Sequence, residues 1–371
     1  MDRASLLPWI ALSSIPSLSS ASLRRLLAAY GAPSQVLEQS QQELARLVDP
    51  GTAEAIRRST ESAAVRAALD WSAESGRAII TLADARYPAL LRESPDPPPV
   101  LYALGRLDLL TRPALAIVGS RNASAQGMRN AEMFARSLSA HGLCIVSGMA
   151  LGIDTAAHRG ALQAAGASIA VLGCSIDIVY PKRNAPLFHE LSTQGLVLSE
   201  FPLRTPPLAH NFPRRNRIIA GLCHGCLVVE AAIASGSLVT ARAAVDTGRD
   251  VFAIPGSIHS PLSKGCHQLI KQGAKLVEDA ADVLDELGVA ARGVDVTSAP
   301  SALEPDAAKV LAALGHDPCD FDTLAARAGI EVESLLAILG KLELDARIVR
   351  TRAGGYQRLD WCTRYDSRGA F

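Results

Sequence analysis

Between residues 115 and 254 short apolar runs recur along the chain, at 115–118, 143–147, 168–172, 196–199, 226–230 and 250–254, and helical patterns separate them. Runs this short and this continuous read as strands buried on both faces, so the stretch predicts a parallel sheet with helices packed above and below it. In such open sheets ligands sit outside the carboxyl ends of the strands, which predicts that the strand-end loops carry the chemistry.

Either side of this stretch the pattern changes. Up to about residue 75 it is helical, with Leu23, Leu26, Leu27 and Tyr30 on one face ahead of the stop Gly31. The turn Ile15-Pro16-Ser17-Leu18-Ser19 resembles that of a helix-hairpin-helix module, but it lacks the glycines with which such turns approach phosphate, which favours a helical packing module. The proline run 94–99 cannot continue a helix or a central strand and marks a connector. A small-residue stretch, 291–305, reads as a linker. Beyond it, helices at 307–314, 322–328 and 332–344 lead to a hairpin formed by 348–350 and 353–356, the patterning of a winged helix. The expected architecture is an α/β protein. An extended Rossmann-like sheet core (76–290) lies between an N-terminal all-helical, SAM/helix-hairpin-helix-like module (1–75) and, past the linker, a C-terminal winged-helix-like module (306–371).

Composition narrows the partners. In 371 residues, Lys+Arg 37 balance Asp+Glu 37, so any attraction for nucleic acid must come from a local cluster of charge. The 7 cysteines show no framework spacing, which fits a reducing cytoplasm. Cys223-His224-Gly225-Cys226 has the gap of a zinc half-site, but no second pair follows, so a structural role is expected and no metal or cofactor. The start lacks a cleavable signal, and no apolar run approaches the roughly 20 residues that span a bilayer, so a cytoplasmic protein without membrane attachment is expected.

Candidate chemistry lies at the strand ends. Gly119-Ser120-Arg121 ends a strand in a small-residue turn before a helix, where backbone N–H groups and the helix dipole suit a phosphate, although the spacing is not that of a dinucleotide fold. Ser235-Gly236-Ser237, with Thr240 beyond, forms a second anion turn. Tyr180-Pro181 leads into Lys182, Arg183 and Asn184 on the same expected rim. The densest signal is 204–217, a proline-broken loop with Arg204, Arg214, Arg215, Arg217 and His210, no acid, and Phe212 interleaved beside Asn216. Arginine forks suit phosphate and an aromatic face can stack on a base, the elements of a single-strand groove. Asp154 and His158 share a helix face near Ser147 and could form a hydrolytic trio; a first-turn acid and a packed histidine is the favoured reading.

Taken in order, Gly119-Ser120-Arg121, Ser147-Gly148 through Asp154 and His158, Tyr180-Pro181-x-x-Asn184, Phe212-Pro213-x-Arg215-Asn216-Arg217-Ile218-Ile219, Ser235-Gly236-Ser237-x-x-Thr240-Ala241 and Ile254-Pro255-Gly256 closely resemble the DNA-processing protein A (DprA, or Smf) family, over residues 87–277. The resemblance implies a protein that binds single-stranded DNA and loads the RecA recombinase during natural transformation, without known catalysis. It implies that Arg121 and Lys182 hold the DNA backbone, and that a homodimer forms near His267, Leu269 and Ile270. Ser175 stands where the family often has glycine, and His267 where it usually has asparagine. The winged-helix-like module carries Glu331, Glu333, Glu343 and Asp345 against Lys341, so it is not expected to read a major groove; Arg347, Arg350 and Arg352 leave a wing contact open. The alternatives are a nucleotide-binding or phosphoribohydrolase-like enzyme using Asp154, His158 and Glu230, and an adaptor whose end modules bind proteins.

Overall fold

The computed structural model describes residues 2–164, 168–289, 304–315, 317–345, 347–351 and 354–359. Most of the expected linker 291–305, together with Arg352, Ala353 and Cys362, lies outside them. The chain divides into two compact units, residues 1–123 with 130–292, and residues 124–129 with 293–371.

The first unit opens with helices α1 (Arg3–Ser13), α2 (Ser20–Tyr30), α3 (Pro33–Glu38), α4 (Gln41–Leu44), α5 (Pro50–Arg58) and α6 (Ala63–Ser72). The turn between α1 and α2 packs Ile15 and Leu18 inward against Leu23, Leu26 and Ile56. Next come β1 (Arg77–Thr81), α7 (Ala89–Arg92) and β2 (Val100–Gly105). The alternating part is β3 (Ala114–Val118), α8 (Ala125–Ala140), β4 (Cys144–Ser147), α9 (Ile153–Leu162), β5 (Ser168–Val171), α10 (Ala185–Gln194), β6 (Leu196–Ser199), α11 (Asn211–Leu222), β7 (Gly225–Val228), α12 (Ser237–Asp246), β8 (Asp250–Ala253), α13 (Lys264–Lys271), β9 (Lys275–Leu276) and α14 (Ala280–Glu286).

These strands form one nine-stranded sheet in the order β1-β2-β6-β5-β4-β3-β7-β8-β9. From β6 to β9 every pairing is parallel, while β2 runs antiparallel to both β1 and β6. The expected parallel core is present, and the antiparallel pair at one edge is an addition: the segment around the proline run contributes strands on both of its sides. Alternation puts successive side chains on opposite faces, so Leu115 and Ile117 of β3 enter one apolar cluster while Ala116 and Val118 enter another. Helices α1 and α6 cover the β1–β2 end, where Trp9, Ile10 and Trp71 bury against Ile79 and Tyr102.

The second unit holds α15 (Pro305–Leu314), α16 (Phe321–Ala328), α17 (Val332–Leu344) and a hairpin of β10 (Ile348–Arg350) with β11 (Tyr356–Arg358). Val310, Leu324, Leu335, Leu339 and Ile348 form its core. Glu331, Glu333, Glu343 and Asp345 are all exposed, and Lys341 is paired with Glu304 at 2.7 Å.

Candidate nucleic-acid interface

Strand β3 leads through α8 to β4 on one side, yet pairs with β7 on the other, so the chain reverses its progression across the sheet between β3 and β7. A crevice opens at the carboxyl ends of the two strands flanking such a reversal. Here the turn after β3 is tied to both neighbours: Ser120 N donates to Glu230 O at 2.7 Å, and Ile153 N donates to Ser120 O at 3.2 Å. Close packing dictates the glycines. A Cβ on Gly119 would stand 2.6 Å from Ile153 Cγ1, and one on Gly152 would stand 2.7 Å from the Arg121 carbonyl oxygen, with φ at +78° besides.

The crevice has a volume of about 690 Å³. Gly119, Ser120, Arg121 and Asn122 line one wall and Ser235, Gly236, Ser237 and Thr240 the other, with Phe212, Arg215, Asn216 and Tyr180 between them. Thus both strand-end anion turns and part of the arginine segment meet at one site. The turn before α12 is held by a 2.7 Å hydrogen bond between the Ser235 and Ser237 hydroxyls, and Asn216 Nδ2 donates to Gly236 O at 3.4 Å from α11. The N-terminal ends of α11 and α12 therefore lie side by side, each adding positive dipole character.

The 204–217 segment differs from its expectation as a loop. From Asn211 it is helix, because Pro213 falls in the first turn of α11, where a missing N–H costs no hydrogen bond. Its arginines also find acids from distant parts of the chain. Arg214 and Arg217 both reach the Glu200 carboxylate, at 3.1 and 2.7 Å, and Arg217 also pairs with Asp96 at 2.8 Å. Asp96 in turn accepts from Arg24 of α2. Arg215 is only 4% exposed and donates to the carbonyl oxygens of Gly148 and Val171, bracing two strand-end loops from below. Burial, opposed by Asp154 and reinforced by Arg121, lowers its pKa to about 10. Of the four, only Arg204 is exposed without a carboxylate on its guanidinium among the described residues, and its backbone N–H donates to Asp177.

Three other cations remain open to a ligand. Arg121 is exposed, lies 5.6 Å over the Phe212 ring and meets no carboxylate among the described residues. Lys182 and Arg183 are exposed in a helical turn beside the crevice and likewise meet none. Asn184 is buried instead: its Nδ2 donates to Met149 O and Thr155 Oγ1, both at 3.0 Å, which anchors the cation-bearing loop. Ser175 secures the turn before Asp177, donating from both N and Oγ to Thr205 O. Two residues gain a role only in the structure: Tyr180, which the sequence shows as part of the Tyr-Pro motif and which lines the crevice, and Glu200, which neutralises two arginines. An aromatic next to a cation pair, and an acid directly after a strand end, were the available signals.

Asp154 and His158 have separate partners. The Asp154 carboxylate accepts from the N–H groups of Gly148 and Ala150, and burial raises its pKa. His158 is fully buried with Nδ1 at 2.8 Å from Ser168 Oγ, and burial lowers its pKa to about 3, so the ring is neutral. Cys223 and Cys226 are buried in the core. Far along the sheet, His267 Nε2 is 3.0 Å from Gly256 O, and Leu269 and Ile270 pack partly against the main core.

A family model described as "DNA recombination-mediator protein A" matches residues 78–288, and one described as "DprA winged helix domain" matches 297–354. The chain is 43% identical over 303 residues to Protein Smf of Escherichia coli, covering 80% of this chain and 81% of that one. To the DNA processing protein DprA of Streptococcus pneumoniae it is 52% identical over 206 residues, covering 56% and 73% respectively. An X-ray structure of the Streptococcus pneumoniae DprA superposes with a TM-score of 0.67 at 40% identity, over 77% of this chain and 98% of that one. A Helicobacter pylori DprA structure, described for its single-stranded DNA binding mode, superposes with a TM-score of 0.52 at 31% identity, over 56% and 95%.

Proposed function

We propose, from the premise that this chain belongs to the DNA recombination-mediator protein A family, that it is a single-stranded-DNA-binding mediator that protects incoming DNA and loads the RecA recombinase in natural transformation. The coarser part is direct: the chain has a DNA-processing role. The finer part is supported by one observation above all, the convergence of Arg121 and two backbone anion turns on a single crevice, with Lys182 and Arg183 on the adjoining loop. A neutral protein with unpaired cations gathered at one rim holds a phosphate chain there rather than over its whole surface. The Helicobacter pylori relative binds single strands, and the same function here would use Gly119, Ser120, Arg121, Lys182, Arg183, Ser235, Gly236, Ser237 and Thr240 toward the polymer. Asn184, Arg215 and Arg217 would act from beneath, by fixing the loops and α11.

The reading places the protein in the cytoplasm as a homodimer assembled near α13, where Ile258 and Leu276 are exposed apolar residues at the β8–β9 end of the sheet. No helix among the described residues is long and apolar enough to cross a membrane. The deciding experiment is an anisotropy titration of oligo-dT beside matched duplex across a salt series. Preference for the single strand, with log affinity falling by about 0.7 per phosphate neutralised for each unit of log salt, supports the reading, and equal affinity for duplex overturns it. RecA filament growth on protein-coated oligo-dT, accelerated by this chain, tests the loading step separately.

A further inference from the structure

Phe212 is the obvious base platform in the sequence, but its ring is half-buried and already engaged by neighbours. Gly173 lies against it so closely that a Cβ there would stand 2.6 Å from Phe212 Cδ1, and the Arg121 guanidinium lies over the ring at 5.6 Å. Tyr180 also packs against it, with centroids 5.7 Å apart and planes at 47°. Both rings line the crevice, and Tyr180 has the more free surface: it is 45% exposed where Phe212 is half-buried. A stacking residue also needs a rigid mount, since ordering a mobile ring costs affinity. The Tyr180 loop is anchored by the Asn184 side chain at one end and by the hydrogen bonds from Ser175 to Thr205 at the other.

We propose that Tyr180 is the base-stacking residue of this crevice, with Phe212 as its buttress and as the support that aims Arg121. The inference rests on the single-strand reading above and sharpens its ligand class: the polymer must carry unpaired bases as well as phosphates. One strand would then be gripped by two kinds of group from one loop, Tyr180 against a base and Lys182 against the neighbouring phosphate. Every base has a π-face, so the contact adds affinity without selecting sequence.

The test compares wild type, Tyr180→Ala and Tyr180→Phe on oligo-dT and on an abasic sugar-phosphate strand of equal length, across a salt series. Tyr180→Ala is expected to weaken oligo-dT binding between about fivefold and a hundredfold, to leave abasic-strand binding unchanged and to keep the wild-type salt slope. Tyr180→Phe is expected to bind oligo-dT like wild type, and 2-aminopurine in the strand to be quenched by wild type and Tyr180→Phe only. Tyr180 is surface-exposed, so circular dichroism of Tyr180→Ala should match wild type. The assignment is overturned if wild type binds oligo-dT and Tyr180→Ala binds it equally well, if the abasic strand loses as much as oligo-dT, or if Tyr180→Phe falls with Tyr180→Ala. Wild type that fails to bind oligo-dT overturns the single-strand reading beneath it, and that result precedes any variant.

Discussion

At the scale of single residues, cations of the same type divide into those that face solvent without a carboxylate and those held within the protein. Arg121 belongs to the first group and Arg217 to the second, where it lies between Glu200 and Asp96. Arg121→Ala should therefore reduce the slope of log affinity against log salt by about 0.7 in an oligo-dT titration, the signature of one lost phosphate contact. Arg217→Ala leaves the buried Glu200 carboxylate short of its inner partner. It should cost about 3 kcal/mol in a denaturant melt and leave the salt slope unchanged. His158 gives a pH signature. Its folded pKa lies far below the ordinary histidine value because burial disfavours the charged ring, so it contributes stability that is complete above about pH 6.5 and is lost as the pH falls toward 3. Between pH 7.5 and 5.0, His158→Asn should lose about 2 kcal/mol less stability than wild type, as read by denaturant midpoints at the two pH values.

Between elements, the crevice depends on backbone approach as much as on charge. The Gly119–Arg121 turn is seated on the first turn of α9, where Gly152 has a positive φ and no room for a side chain. Gly152→Ala removes no charge, yet it should push the Ser120 and Arg121 carbonyls outward and weaken oligo-dT binding about tenfold, roughly the loss of one well-placed contact. A variant that keeps wild-type affinity in the anisotropy assay would separate the turn from the function. The sequence made the strand-end turns legible because glycine and serine at the ends of apolar runs have few other uses. It could not show which arginines are consumed: Glu200 and Asp96 lie 17 and 121 residues from Arg217 and meet it only once β6, the proline connector and α11 are folded together. The antiparallel strands β1 and β2 were hidden for a related reason. β2 directly follows the proline run that marks a connector and β1 precedes it across α7, and the pairing of β2 with β1 and with β6 is set by the sheet.

For the whole molecule, charge distribution sets the two units apart. The unit that contains the sheet gathers Arg121, Lys182 and Arg183 around its crevice, whereas the helix α17 of the second unit carries exposed Glu333 and Glu343, is capped by exposed Glu331 and Asp345, and has its Lys341 paired with Glu304. Phosphate approaching α17 would meet a field of its own sign, so major-groove reading by this helix is not expected. A chain ending after residue 289 keeps every residue of the crevice and its own apolar core. It should therefore bind oligo-dT within about threefold of the full chain, with the same salt slope, since no phosphate contact has been removed. A shallower slope in the shortened chain would show that cations outside the sheet unit, with Arg347 and Arg350 foremost, also grip the strand.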